Sequence, residues 1–162
     1  MNTVSAKKTA AALLAGCRDV AAVERACVAG YMEAKGIPLP SRSYLGNYLC
    51  GIDGALVGKC RQAILAIAPK PTLDTIVELF ELLVACETRK KNGVAYTPLS
   101  VKRMMLDRVL HDFGAPTVFD PSCGCASFLL TASQMIHERT GLRYSEVVRR
   151  CIFGADIEVN CI

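Results

Sequence analysis

Between Thr117 and Asp156 the chain passes through a fixed order of segments. A short β-type run, Thr117-Val118-Phe119, ends in Asp120, and a turn of small residues follows, Pro121-Ser122-Cys123-Gly124-Cys125-Ala126-Ser127. A helical stretch runs from Phe128 to about Arg139, and Tyr144 to Arg149 reads as one further short helix. Cys151-Ile152-Phe153-Gly154-Ala155 is then a second β-type run closed by Asp156. Strand, turn, helix, strand and acid form the opening of a βαβ unit in a doubly wound parallel sheet. Such sheets bind ligands at the carboxyl edge of their strands. Small residues in the turn let a ligand approach the backbone, and an acid ending the next strand can accept hydrogen bonds from both hydroxyls of a ribose.

Several site classes fail on the same residues. The turn does not fit the G-x-G-x-x-G fingerprint of nicotinamide enzymes, and it lacks the lysine of a P-loop. The nine cysteines are scattered, with no C-x-x-C pair to hold zinc. Their odd number, mostly inside apolar helical patterns, predicts reduced thiols rather than a disulfide framework. His111 and His137 fall on helical stretches and are read as surface or boundary residues. Every apolar stretch is broken by charge well before about 18 residues, so no membrane span is expected. The N-terminus is polar and makes no convincing signal peptide, which predicts a cytoplasmic protein without membrane contact. A formal charge of +4 permits a nucleic-acid partner without requiring one.

Residues 1–88 read as helices. Gly36 to Pro40 and the Pro69/Pro71 pair break the pattern, because proline removes a donor and restrains its predecessor. Thr72 is a candidate cap for the clearest helix, with Leu73, Ile76, Val77, Phe80, Leu83 and Val84 on one face. That face is expected to pack on the chain's own second region, the alternative being a partner subunit. The character changes after Thr88. Thr97 as cap and Pro98 as first residue start a helix through Val101, Met104, Met105, Leu106, Val109 and Leu110. Gly114 and Pro116 end it.

Asp120 to Leu129 resembles the D-P-x-C-G-x-G-x-F-L motif of adenine-specific (N6) DNA methyltransferases of restriction–modification systems. Gly93-Val94-Ala95-Tyr96-Thr97-Pro98 resembles their G-x-x-Y-T-P motif. Ile152 to Ile157 resembles their strand with the ribose-binding acid. The order of the motifs is the family's, and the resemblance covers about Thr88 to Ile162. It implies a helical N-terminal region (1–88) followed by an incomplete S-adenosylmethionine-binding domain (89–162, motifs at 93–98, 120–129 and 152–157). The fold class it implies is α/β, the start of a Rossmann-like class I methyltransferase sheet with about two strands present.

The cofactor implied is S-adenosylmethionine. Asp120 would contact its methionine amino group, and Gly124 would let the backbone come close. Thr97 at a helix N-terminus would help to hold the carboxylate, with Tyr96 lining the same end. Asp156 would bind the ribose hydroxyls, and Ile157 would pack on the adenine. Pro98, Pro121, Cys123 and Phe128 complete the implied binding set, with Cys123 as a small packing residue rather than a nucleophile. No metal ligand is implied. Ala126 stands where the family usually has a second glycine. A demand there for positive φ or close cofactor contact would weaken binding.

One part of the family pattern is missing. Methylation of an exocyclic adenine nitrogen requires the base to leave the duplex and stack in a pocket. The family does this with an [N/D/S]-P-P-[Y/F/W] loop, and this sequence contains no Pro-Pro pair. The chain is therefore expected to carry no catalytic residue and to be inactive alone, as a fragment of a longer product or a truncated remnant. Double-stranded DNA would be engaged through the full-length protein, with a specificity or restriction subunit as a candidate partner. The alternatives are a methyltransferase for RNA or protein glutamine, or a non-catalytic interaction module.

Overall fold

The computed structural model describes residues 3–17, 19–40, 43–88, 97–111 and 116–157. The chain divides into two compact units, Met1–Val94 and Ala95–Ile162. The expected change of character after residue 88 adjoins 89–96, which lie outside the described residues.

The first unit is built of helices: α1 (Thr3–Gly16), α2 (Val20–Lys35), α3 (Tyr44–Tyr48), α4 (Gly54–Ile67) and α5 (Leu73–Thr88). Polar side chains set where they start. Asp19 Oδ1 accepts the Ala22 amide at 3.1 Å, Ser43 Oγ that of Gly46 at 3.0 Å, and Asp53 Oδ1 that of Ala55 at 2.9 Å. Each satisfies an amide that the first turn leaves without a helical partner. At α5, Thr75 Oγ1 accepts the Thr72 amide at 3.1 Å, and the two hydroxyls lie 3.4 Å apart. Thr72 thus stands at the start of the helix as the sequence suggests.

Helices α2 and α4 form the most extensive pair in this unit. The side of α2 that meets α4 is made of small residues, among them Ala26, Cys27 and Gly30, all buried. A Cβ on Gly30 would lie 2.8 Å from the Arg61 amide nitrogen and 3.1 Å from the Val57 carbonyl, so the two backbones are in direct contact there. Cys27 and Cys60 meet in the same interface, and their hydrogen bond together with burial pushes the Cys27 thiol up. Cys17, Cys27, Cys50, Cys60, Cys123, Cys125 and Cys151 are free thiols.

Helix α5 buries Ile76, Leu79 and Leu83 in the core shared with Leu13, Val23 and Ile64, and Phe80 packs at its margin. The expected apolar face is therefore rotated. Leu73 is 45% exposed, whereas Thr75 and Leu79 lie inside. Of the expected face, Ile76 and Leu83 are buried within their own unit, where α5 packs on α1, α2 and α4. The Val84 side chain lies outside the described residues.

The second unit contains α6 (Leu99–Leu110), β1 (Val118–Asp120), α7 (Ser127–Thr140), α8 (Tyr144–Cys151) and β2 (Ile152–Gly154). The two strands are parallel, with Val118 opposite Ile152, Phe119 opposite Phe153 and Asp120 opposite Gly154. A parallel pair needs a long crossover, and α7 and α8 supply it. One sheet face, carrying Val118 and Ile152, packs on a core of Leu106, Leu110, Ala132, Met135, Ile136 and Val147. The other presents Phe119 and Phe153, which are 62% and 47% exposed. Buried Ser133 joins the Leu130 carbonyl and the Tyr144 hydroxyl, each at 2.7 Å, and so ties α7 to α8. Cys151, read from the sequence as strand, closes α8. Helix α6 leaves Val101, Met104, Met105 and Val109 exposed, and its buried side is Lys102, Leu106 and Leu110.

No helix among the described residues is long and apolar enough to cross a membrane.

Candidate functional site

The two strands end side by side, and backbone bonds continue past them. The Ala155 amide donates to the Asp120 carbonyl at 2.9 Å, and the Cys123 amide donates to the Ala155 carbonyl at 3.0 Å. The turn after β1 is thereby laced to the segment after β2. Asp120 Oδ1 accepts the Ser122 amide at 3.0 Å, an Asx turn that bends the chain directly after the strand. Asp156 Oδ2 accepts the Gly124 amide at 2.8 Å. The two acids of the sequence pattern thus lie at one strand edge, each holding an amide of the intervening turn. A carboxylate has about four lone-pair sites, and each of these bonds takes one of them.

The turn leads into α7 through two residues with left-handed backbone. Gly124 has φ +50°, and Ala126 has φ 56° and ψ 26°. The Ala126 amide donates to the Cys123 carbonyl at 2.8 Å and its carbonyl accepts from Leu130 at 2.8 Å, which fixes it as the residue that opens the helix. Among the described residues nothing lies within 4 Å of a Cβ built on Gly124, so the turn is open on that side. The reverse holds at Gly154. A Cβ there would lie 2.7 Å from Leu129 Cδ1 and 3.0 Å from Cys123 Sγ. Strand β2 can approach the turn only because this position has no side chain. Gly154 was not singled out in the sequence, where its one signal is a glycine placed between Phe153 and the acid.

Cys123 is half-buried in this arrangement. Burial first, then the nearby charges of Asp156 and Asp120, push its thiol up. A thiol held protonated is a poor nucleophile.

The remaining site residues are spread out. Thr97 is half-buried and Pro98 exposed. The helix cap falls on Pro98, with no side-chain cap bond, one residue later than the Thr97 expected. Pro121 is exposed in the turn. Phe128 faces the core beside Val118 and Ile152, and Ile157 is 94% exposed. Tyr96 lies outside the described residues. Lys102 escaped the sequence reading altogether: it is 7% exposed, and its ammonium donates to the hydroxyl of Ser127, the first residue of α7. Its spacing of four and eight residues from Leu106 and Leu110 was the available signal.

No group of three or more His, Cys, Asp or Glu among the described residues could hold a metal ion. The second unit is thus an α/β element with two carboxylates and an open, glycine-containing turn at one strand edge. Residues 72–161, more than half of the chain, match the family model of N-6 DNA methylases, and the chain belongs to that family. No curated protein and no solved structure matches it.

Proposed function

We propose that this chain is the S-adenosylmethionine-binding segment of a DNA adenine N6-methyltransferase, with a class I, Rossmann-like sheet of which β1 and β2 are the first strands. The observation that carries the reading is the pairing of Asp156 with the Gly124 amide beside Asp120. In this reading Asp156 is the acid for the ribose and Asp120 the acid for the methionine amino group, with the turn at Gly124 between them. Thr97, Pro98 and Tyr96 belong to the methionine end, and Ile157 offers an exposed apolar side chain to the adenine. Pro121, Cys123 and Phe128 shape the turn. The cofactor supplies an electrophilic methyl group, and the residues of this chain bind and orient its carrier.

Double-stranded DNA is the substrate in this reading, within a cytoplasmic restriction–modification system that includes a specificity or restriction subunit. The sequence has no Pro-Pro pair and so no loop to hold the flipped adenine. Cofactor capture is therefore assigned to these 162 residues and methyl transfer is not.

Calorimetric titration of the chain with S-adenosylmethionine tests the reading. Saturable binding is expected, and Asp156→Ala should abolish it while the variant stays folded. Binding untouched by Asp156→Ala would remove the cofactor from this edge. Product from a labelled-methyl assay with duplex DNA would sink the claim that the chain does not transfer the group.

A further inference from the structure

Lys102 is a cation on a core face. It shares the buried side of α6 with Leu106 and Leu110, and only 7% of it is exposed. An ammonium taken from water is costly unless a counter-charge meets it. Here the partner of the ammonium is the neutral hydroxyl of Ser127.

Ser127 opens α7, a helix of 14 residues, and the N-terminal end of a helix is itself positive. Among the described residues, the first turn itself supplies no counter-charge. Ala126 occupies the cap position and makes no side-chain cap bond, and the first turn contains no acidic residue. The neighbouring acids are turned to other donors: Asp120 holds the Ser122 amide and Asp156 the Gly124 amide. A buried ammonium and a helix end without a side-chain cap therefore meet at Ser127, in the same turn-to-helix segment as Gly124. Like-signed features held together in this way favour an anion between them.

On the reading of this edge as a cofactor pocket, the ligand has one anionic group. The sulfonium and the amino group of S-adenosylmethionine are positive and the ribose is neutral, so only the methionine carboxylate fits. We propose that Lys102, together with the first turn of α7, holds that carboxylate. The zwitterionic end of the cofactor then meets a matching pair, with Asp120 on the ammonium and Lys102 on the carboxylate. Thr97 contributes a neutral contact at most, and the charge that distinguishes the cofactor from analogues without the carboxylate comes from Lys102.

The test is calorimetry of the full chain with S-adenosylmethionine and with its decarboxylated analogue, on wild type, Lys102→Met and Lys102→Arg. Methionine keeps the length of the apolar stem, and circular dichroism checks the fold of each variant. Wild type should prefer the carboxylated ligand by about 10- to 100-fold, the worth of a charge-assisted hydrogen bond. Lys102→Met should erase that preference by weakening S-adenosylmethionine alone, and Lys102→Arg should retain most of it. Equal loss for both ligands, or loss for neither, would overturn the assignment. Should the methionine variant not fold, wild type still decides, because equal affinity for the two ligands overturns the proposal by itself. If wild type binds neither ligand, the cofactor reading falls and Lys102 falls with it.

Discussion

At the scale of single residues, the backbone at Ala126 is the most informative departure. Its φ of 56° is in the left-handed region, where a Cβ crowds the following carbonyl. Glycine would adopt this conformation without that crowding but would lose more entropy on folding. Ala126→Gly should therefore stabilise the chain by about 0.5–1 kcal/mol, read as a higher midpoint in urea denaturation. A lower midpoint would show that the surrounding turn does not strain the alanine. The acids and Gly124 were legible from the sequence, because a turn between a strand and a helix is specified by its own few residues. The positive φ at 126 could be posed from the sequence only as a condition. Which backbone angle a turn adopts depends on bonds such as Cys123 to Ala155, made to a segment far along the chain. Lys102 was legible only through its spacing from Leu106 and Leu110, and lysine on a helix is ordinarily solvated.

Elements show where apolar periodicity misleads. On α6 the sequence supplies apolar residues on more than one side, and the structure buries the side with Leu106 and Leu110 while Met104 and Val109 face solvent. On α5 the face is right in kind but rotated, with Leu79 inside and Leu73 outside. Periodicity establishes that a helix is amphipathic. The neighbours it packs against choose which part of a broad apolar arc is covered. The α2–α4 pair is a cleaner case, since small residues on α2 dictate a close crossing. Gly30→Val would force β-branched bulk against the Arg61 and Val57 backbone. Overpacking of this sort costs about 1–3 kcal/mol, so a matching loss in urea stability is expected. A neutral effect would mean that the helices can separate without penalty.

For the whole molecule, the sequence switches from helical periodicity to short strands, with the change expected after residue 88, and the contacts divide the chain into Met1–Val94 and Ala95–Ile162. The parallel pairing of β1 with β2 followed from the crossover between them. The helical unit has its own core, drawn from four of its helices. Residues 1–94 made alone should therefore give a helical spectrum and one cooperative thermal transition. A featureless, gradual melt would show that this core depends on residues beyond 94. The bond between Gly124 and Asp156 has a further consequence, for the order of folding. Its partners lie 32 residues apart, on opposite sides of the crossover. Contacts of long sequence separation form only after the entropy of closing the intervening loop has been met. This strand edge therefore comes into being as the crossover docks and not before. A molecule that binds across it recognises only the closed form and shifts the equilibrium toward that form by mass action.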